Sequence, residues 1–182
     1  MSLLNRLGLV ALLSTLPLVA YAQDAQVTDP QIAAIVVTAN QVDIDAGKLA
    51  QSKAHAKQVK EFAQLMITDH TNLNKSAAAL ANKLNLKPEE NPTSEALRKG
   101  GDDNLATLKT LKGRDFDKAY VEHEVAYHQQ VLDAIDKTLI PSAKNEELKG
   151  LLVKARPVIV AHLEHARGLE SKLGADRGKK AD

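Results

Sequence analysis

Five residues interrupt the apolar periodicity of this sequence in a way that suggests chemistry: Asp43, His70, Glu124, His128 and His162. Each sits on, or directly beside, the stripe of its helix that should face a core, and each comes from the middle of that helix. Three imidazoles with one or two carboxylates suit a divalent transition metal. A neutral imidazole donates a lone pair, while a carboxylate adds negative charge and completes the shell. One ion is expected, with zinc, copper and iron all chemically reasonable, and no organic cofactor. Asp69 is placed to orient a ligand histidine from behind. A second reading stays open beside this one: a buried polar cluster that is purely structural and fixes helix register, or one that responds to pH. His165 lies one turn after His162, in HisLeuGluHis (162–165), and flanks the stripe. His55 and His123 read as surface residues. Tyr120 and Tyr127 either donate to the carboxylates or pack the core with satisfied hydroxyls.

Four long stretches of helical periodicity must carry these groups. The first opens at Asp29-Pro30, read as an N-cap followed by proline at the first helical position, and places Ile32, Val36, Ala39, Asp43, Ala46 and Ala50 on one stripe. The second runs from about Ala56 to Leu84, with Val59, Phe62, Met66, His70, Leu73 and Ala77 in three-four spacing. The third starts near Asp115, behind Gly113, and carries Phe116, Tyr120, Glu124, His128, Val131 and Ile135, with Pro141 just beyond its end. The fourth starts near Asn145 and runs through Leu152, Ile159, His162, Ala166 and Leu169 until Gly174 stops it. Pro157 inside it predicts a kink. Strand patterns are almost absent.

About thirty residues separate the second and third stretches, broken up by Pro88, Pro92 and Gly100-Gly101. Leu105, Leu108 and Leu111 suggest one short helix packed on the outside. A connection of this length can run the length of a bundle, so the second and third helices can be parallel, as in ferritin-like folds. The expectation is an all-α, ferritin-like four-helix bundle with a long crossover between helices two and three. In that arrangement Asp43, His70, His128 and His162, one from each helix, spread over roughly 8 Å in depth, at 1.5 Å of rise per residue. Many stripe positions are alanine, which permits close helix approach but buries little area.

The chain opens MSLLNRLGLVALLSTLPLVAYAQ, with one basic residue (Arg6), a short apolar run containing Pro17, and Ala20-Tyr21-Ala22 before Gln23. That order is the signature of a cleavable secretory signal peptide, and the run is too short to cross a bilayer, which takes about 20 apolar residues. Residues 1–22 are therefore read as a leader, 23–28 and the basic 174–182 as disordered ends, and 29–173 as the domain. The periplasm is the expected location, with outer-membrane association open, no transmembrane segment in the mature protein, and an envelope protein as a second class of partner besides a metal ion. Cysteine is absent, which excludes disulfides and thiolate ligands. Lys and Arg number 24 against 23 Asp and Glu, and aromatics make up 3%. Neither the basic field nor the stacking rings of a nucleic-acid partner are present.

These pieces resemble a known family. ValLysGluPheAla (59–63), AspHis (69–70), PheAspLysAlaTyr (116–120), His128, and Pro157 with HisLeu (162–163) are similar to the exported bacterial proteins grouped as domain of unknown function 4142. The resemblance spans roughly Asp29 to Leu173. It implies a ferritin-like fold and an envelope location, and no established reaction. The chain departs from di-iron proteins, which use a Glu-x-x-His pair on each of two helices plus further glutamates. Glu124 and His128 are spaced i, i+4, and too few core carboxylates remain for a bridged di-iron centre, so ferroxidase and iron storage are disfavoured. No nucleophile arrangement or phosphate-binding loop is visible. The reading is a non-enzymatic exported protein that binds a transition metal through His70, His128, His162 and Asp43 or Glu124, serving metal buffering or an envelope stress function. The alternative is a metal-free structural or protein-interaction module. A redox or oxygen-handling enzyme with one open coordination position is a third class.

Overall fold

The computed structural model describes residues 26–178, so the leader (1–22) lies outside the described residues. Five long helices carry the chain: α1 (Asp29–Lys53), α2 (Lys57–Lys83), α3 (Pro92–Thr110), α4 (Gly113–Ala134) and α5 (Glu146–Gly178). No strand occurs among the described residues, and none of their helices is long and apolar enough to cross a membrane.

Hydrogen bonds at the helix ends fix their directions. Glu89 N–H donates to Pro30 O at 3.0 Å and Asn91 Nδ2 to Gln31 O at 3.3 Å, so α3 starts beside the start of α1. Lys53 Nζ reaches Leu108 O and Lys109 O at 3.3 and 2.7 Å, so the two helices also end together. Asp117, fully buried near the start of α4, accepts from the backbone of His55 and Ala56 at 2.8 Å each. That ties the start of α4 to the α1–α2 turn. At the opposite pole Asp29 accepts from Lys144 and Asn145 N–H at 2.9 and 3.0 Å. Helices α2 and α4 therefore run the same way, and α1, α3 and α5 run against them.

Several local expectations are corrected. Thr28, not Asp29, caps α1: its hydroxyl accepts from Gln31 N while Gln31 Oε1 accepts from Thr28 N. Residues 26–28 thus include an ordered cap, and Asp29 is left to bind the segment before α5. Helix α5 carries on past Gly174 to Gly178. Pro157 lies inside it at an exposed position. The chain after α4 stays helical through Pro141. A π-helical segment, Ile135–Leu139, widens the helix before the proline, and Ile140 N–H reaches back five residues to Ile135 O.

The segment between the second and third expected helices departs furthest from expectation. It is no short helix, because α3 takes up 19 residues and contains Gly100-Gly101 in its middle. Leu108 is buried and joins Phe62, Phe116 and Tyr120 in one apolar cluster. Gly101 explains why a glycine pair sits within a helix. A Cβ there would stand 2.8 Å from Val42 Cγ2 and 2.9 Å from Cγ1, so only a bare backbone lets α3 lie this close to α1. Gly47 does the same between α1 and α2, where a Cβ would meet Ala63 O at 3.1 Å.

A second apolar cluster, built from Ile32, Ile35, Leu139, Leu148, Leu152 and Ile159, fills the other pole. The sequence-marked polar residues fall in the layer between the two clusters.

The glycine pair yields a directional test. Gly100→Ala meets no atom within 4 Å and should stabilise by about 0.5–1 kcal/mol through helix propensity. Gly101→Ala must push back a stiff β-branched Val42 and should destabilise by about 1–3 kcal/mol. Urea unfolding of the two variants should move the midpoint in opposite directions.

Candidate metal centre

All five sequence-selected residues are buried and meet in this middle layer. Asp43, His70, Glu124, His128 and His162 are at most 3% exposed. His70, His128 and His162 each bring a ring nitrogen within 4.8 Å of the other two, and Asp43, Glu124 and His128 form a second, overlapping group at the same spacing. Asp43 Oδ2 lies 3.0 Å from His70 Nε2 and 3.4 Å from His128 Nε2. These contacts are close but not aligned as hydrogen bonds, since neither Asp43 oxygen nor either Nε2 has a partner within the protein. The atoms face a shared space rather than one another.

Each histidine is held by one nitrogen and leaves the other free. His70 Nδ1 is 2.8 Å from Asn40 Oδ1, and Asn40 Nδ2 donates to Asn74 Oδ1 at 2.9 Å, which fixes the amide so that its oxygen faces the ring. His128 Nδ1 lies 3.0 Å from Glu124 O, one helical turn back. His162 Nε2 lies 2.9 Å from Asp69 Oδ2. All three anchors are acceptors, so each anchored nitrogen carries the proton and the lone pair stays on its neighbour. Those neighbours are Nε2 of His70, Nε2 of His128 and Nδ1 of His162, buried and without a partner in the protein. Both oxygens of Glu124 and the hydroxyl of Tyr120 share that condition. A ring fixed from behind by a carbonyl or carboxylate, with its lone pair forward, is the usual form of a metal-ligating histidine.

Charge follows the same geometry. Burial pushes Asp43 up, but the neighbouring His70 and His128 rings outweigh it and hold the carboxyl well below its ordinary range. Glu124 goes the other way: burial, then the Asp43 charge beside it, raises it well above 4.5. Burial lowers His128 against the pull of Asp43. His162 falls to about 4, chiefly by burial, with Asp69 opposing and His70 and His128 adding to the fall. Burial and the Glu124 charge raise Tyr120. The layer thus holds an ionised Asp43, a Glu124 whose protonated form is favoured, and His128 and His162 whose neutral, lone-pair-bearing forms are favoured, a donor set that fits a divalent cation.

The chain matches the family model described as Domain of unknown function (DUF4142) over residues 15–169. The chain belongs to this family. No curated protein and no solved structure is significantly similar to it.

The remaining sequence readings divide. Asp69 sits behind His162 as expected of an orienting carboxylate. His55 and His165 are exposed, the latter edge-on to Phe62 with ring centres 5.0 Å apart. Tyr127 does not donate to the carboxylates, because its hydroxyl donates to Ala39 O at 2.9 Å. His123 is no surface residue: it is half-buried and stacked on Tyr127 at 5.5 Å. Asn40 was missed, although it sits i, i+3 from Asp43 on the same face of α1, the one signal that marks it.

Protonation gives this layer a signed pH response. His162 titrates near 4 in the folded chain against 6.5 ordinarily, and His128 shifts the same way. Between those values the unfolded chain binds more protons, so their contribution is whole above pH 6.5 and is lost as pH falls toward 4. Glu124 has the opposite sign. Its contribution is whole below 4.5 and is lost as pH rises toward its raised value. Thermal melts of chelator-treated protein should therefore drop steeply from pH 6.5 to 4. Glu124→Gln, which mimics the neutral acid, should raise the melting temperature at pH 7–8 and leave the acid limb in place. An unchanged melting temperature at pH 8 would show that Glu124 is not held protonated.

Proposed function

We propose that this protein is an exported, ferritin-like four-helix bundle that holds one divalent transition-metal ion in the periplasm. On this reading α1, α2, α4 and α5 form the bundle and α3 is the crossover, supported by the common direction of α2 and α4. His70, His128 and His162 supply nitrogen ligands and Asp43 an oxygen. Glu124 either completes the shell or keeps its proton beside Asp43. The observation that carries the proposal is the set of three imidazoles, each anchored by an acceptor at one nitrogen and unpartnered at the other, with ring nitrogens within 4.8 Å of one another. Three nitrogens and one oxygen satisfy a tetrahedral ion without a labile position, which favours holding the ion over turnover. An ion here would also relieve unsatisfied buried groups, each costing about 1–3 kcal/mol. Metal buffering or an envelope stress role follows from such a site and from the secretory leader. The alternative, a metal-free module of the cell envelope, draws on the same inter-helix bonds, since His70–Asn40 and His162–Asp69 also fix helix register.

Elemental analysis of untagged protein from the periplasm should find about one equivalent of zinc, copper or iron, and chelation should lower the melting temperature. His70→Ala and His162→Ala should each abolish stoichiometric binding. Asn40→Ala and Asp69→Ala, which touch only the ring backs, should weaken affinity roughly 10–100-fold. Full occupancy in both histidine variants would sink the site. A metal-free protein whose melt ignores chelator and added zinc, copper and iron would leave the metal-free alternative.

A further inference from the structure

Beside the polar layer lies a second feature that the metal reading does not use. A cavity of about 510 Å³ opens between α3 and α4 and reaches inward to α5. Its walls are apolar and come from every long helix: Ile35, Leu73, Leu97, Val131, Leu152 and Ile159. The size falls in the range of small-molecule pockets, roughly 300–1,000 Å³.

Two backbone irregularities border this space. The π-helical segment of α4 contributes Ile135 and Leu139 to the wall, and π-bulges concentrate at functional sites. On α5, the wall residues Ala155 and Ile159 bracket Pro157. The π-helical segment thus departs from regular helix geometry where it lines the cavity.

The few polar side chains in the wall restrict what can enter. No Lys, Arg, Asp or Glu lines it, so a charged group would be desolvated there without a counter-charge. Asn40 is engaged with His70 and Asn74, and the Tyr127 hydroxyl with Ala39 O. His123 differs. Half-buried, it makes no hydrogen bond within the protein, so its ring can meet a donor or an acceptor, whereas Thr93 and Gln130 line the wall at exposed, solvated positions.

We infer that this cavity binds an uncharged, largely apolar small molecule whose single hydrogen-bonding group is read by His123. The site requires no ion and stands independently of the metal proposal. A segment of another protein is a poorer fit, because the space is walled by residues of five helices and its volume is that of a small-molecule pocket.

The test titrates the purified protein with N-phenyl-1-naphthylamine, an uncharged apolar fluorophore with one N–H, and with its anionic relative 8-anilino-1-naphthalenesulfonate. The expected result is saturable binding of about one equivalent of the neutral probe, with the sulfonate at least about ten-fold weaker. Ala134→Phe and Ala155→Phe fill the cavity from two walls and should each lower affinity by about ten-fold or more. Should either fail to fold, Gly100→Leu narrows the mouth at a position where an added Cβ meets nothing within 4 Å, and it should lower affinity with helix content intact. His123→Phe should weaken the neutral probe by about five-fold, the worth of one hydrogen bond. The inference is overturned by the absence of saturable neutral-probe binding, by equal affinity for the sulfonate, or by undiminished affinity in the folded cavity variants.

Discussion

Everything in this molecule is arranged around the cost of placing three imidazoles and two carboxyls where water does not reach. An unpaired polar group in such a layer costs about 1–3 kcal/mol, against a total stability of about 5–15 kcal/mol for an ordinary domain. The structure meets this cost in part from behind. Asn40, Asp69 and the Glu124 carbonyl each hold one ring nitrogen, and burial with the neighbouring Asp43 charge favours the protonated form of Glu124. The forward-facing lone pairs are left over. That asymmetry, satisfied behind and unsatisfied ahead, leaves a group of buried donors able to hold a metal ion, whereas a purely structural hydrogen-bond network would engage both ends of each ring.

The two apolar clusters on either side make the layer rigid enough to matter. Phe62, Met66, Phe116 and Tyr120 close one pole, and Ile32, Ile35, Leu148 and Leu152 the other. Two carboxylates fasten the poles across the chain, Asp117 on the α1–α2 turn and Asp29 on the segment before α5. Alanine and glycine between α1 and its neighbours trade buried area for close approach, which shortens the distance the histidine and aspartate side chains must span. Stability and site geometry therefore rest on the same packing.

The sequence carried the four principal helices and the five central residues because both obey helical periodicity, and periodicity survives without tertiary knowledge. What it hid depended on contacts between helices. Gly100-Gly101 read as a break because glycine is a poor helix former, yet Gly101 is in the helix to admit Val42 of α1, a partner far away in sequence. His123 read as solvent-facing because it stands off the central stripe of α4. That shoulder faces the cavity between α3 and α4, which exists only once the segment between α2 and α4 is known to carry a full-length helix. Asn40 is an unremarkable polar residue until its amide is seen between His70 and Asn74. Gly174 and Pro141 carried real local penalties, and a continuous helix and a π-helical widening, respectively, absorbed them.

The bond between His162 and Asp69 joins the last helix to the second. Ribosomal synthesis delivers the chain from its N-terminus, so the central residues arrive in the order Asp43, His70, Glu124, His128 and His162. Helices α1 to α3 can associate early, with His70 already set by Asn40. The third imidazole takes its place only when α5 docks and Asp69 receives it. The layer is thus the last part of the molecule to be completed, and a truncated or half-threaded chain would carry an unfinished set of donors. Capture of a ligand there would mark a polypeptide that has fully arrived.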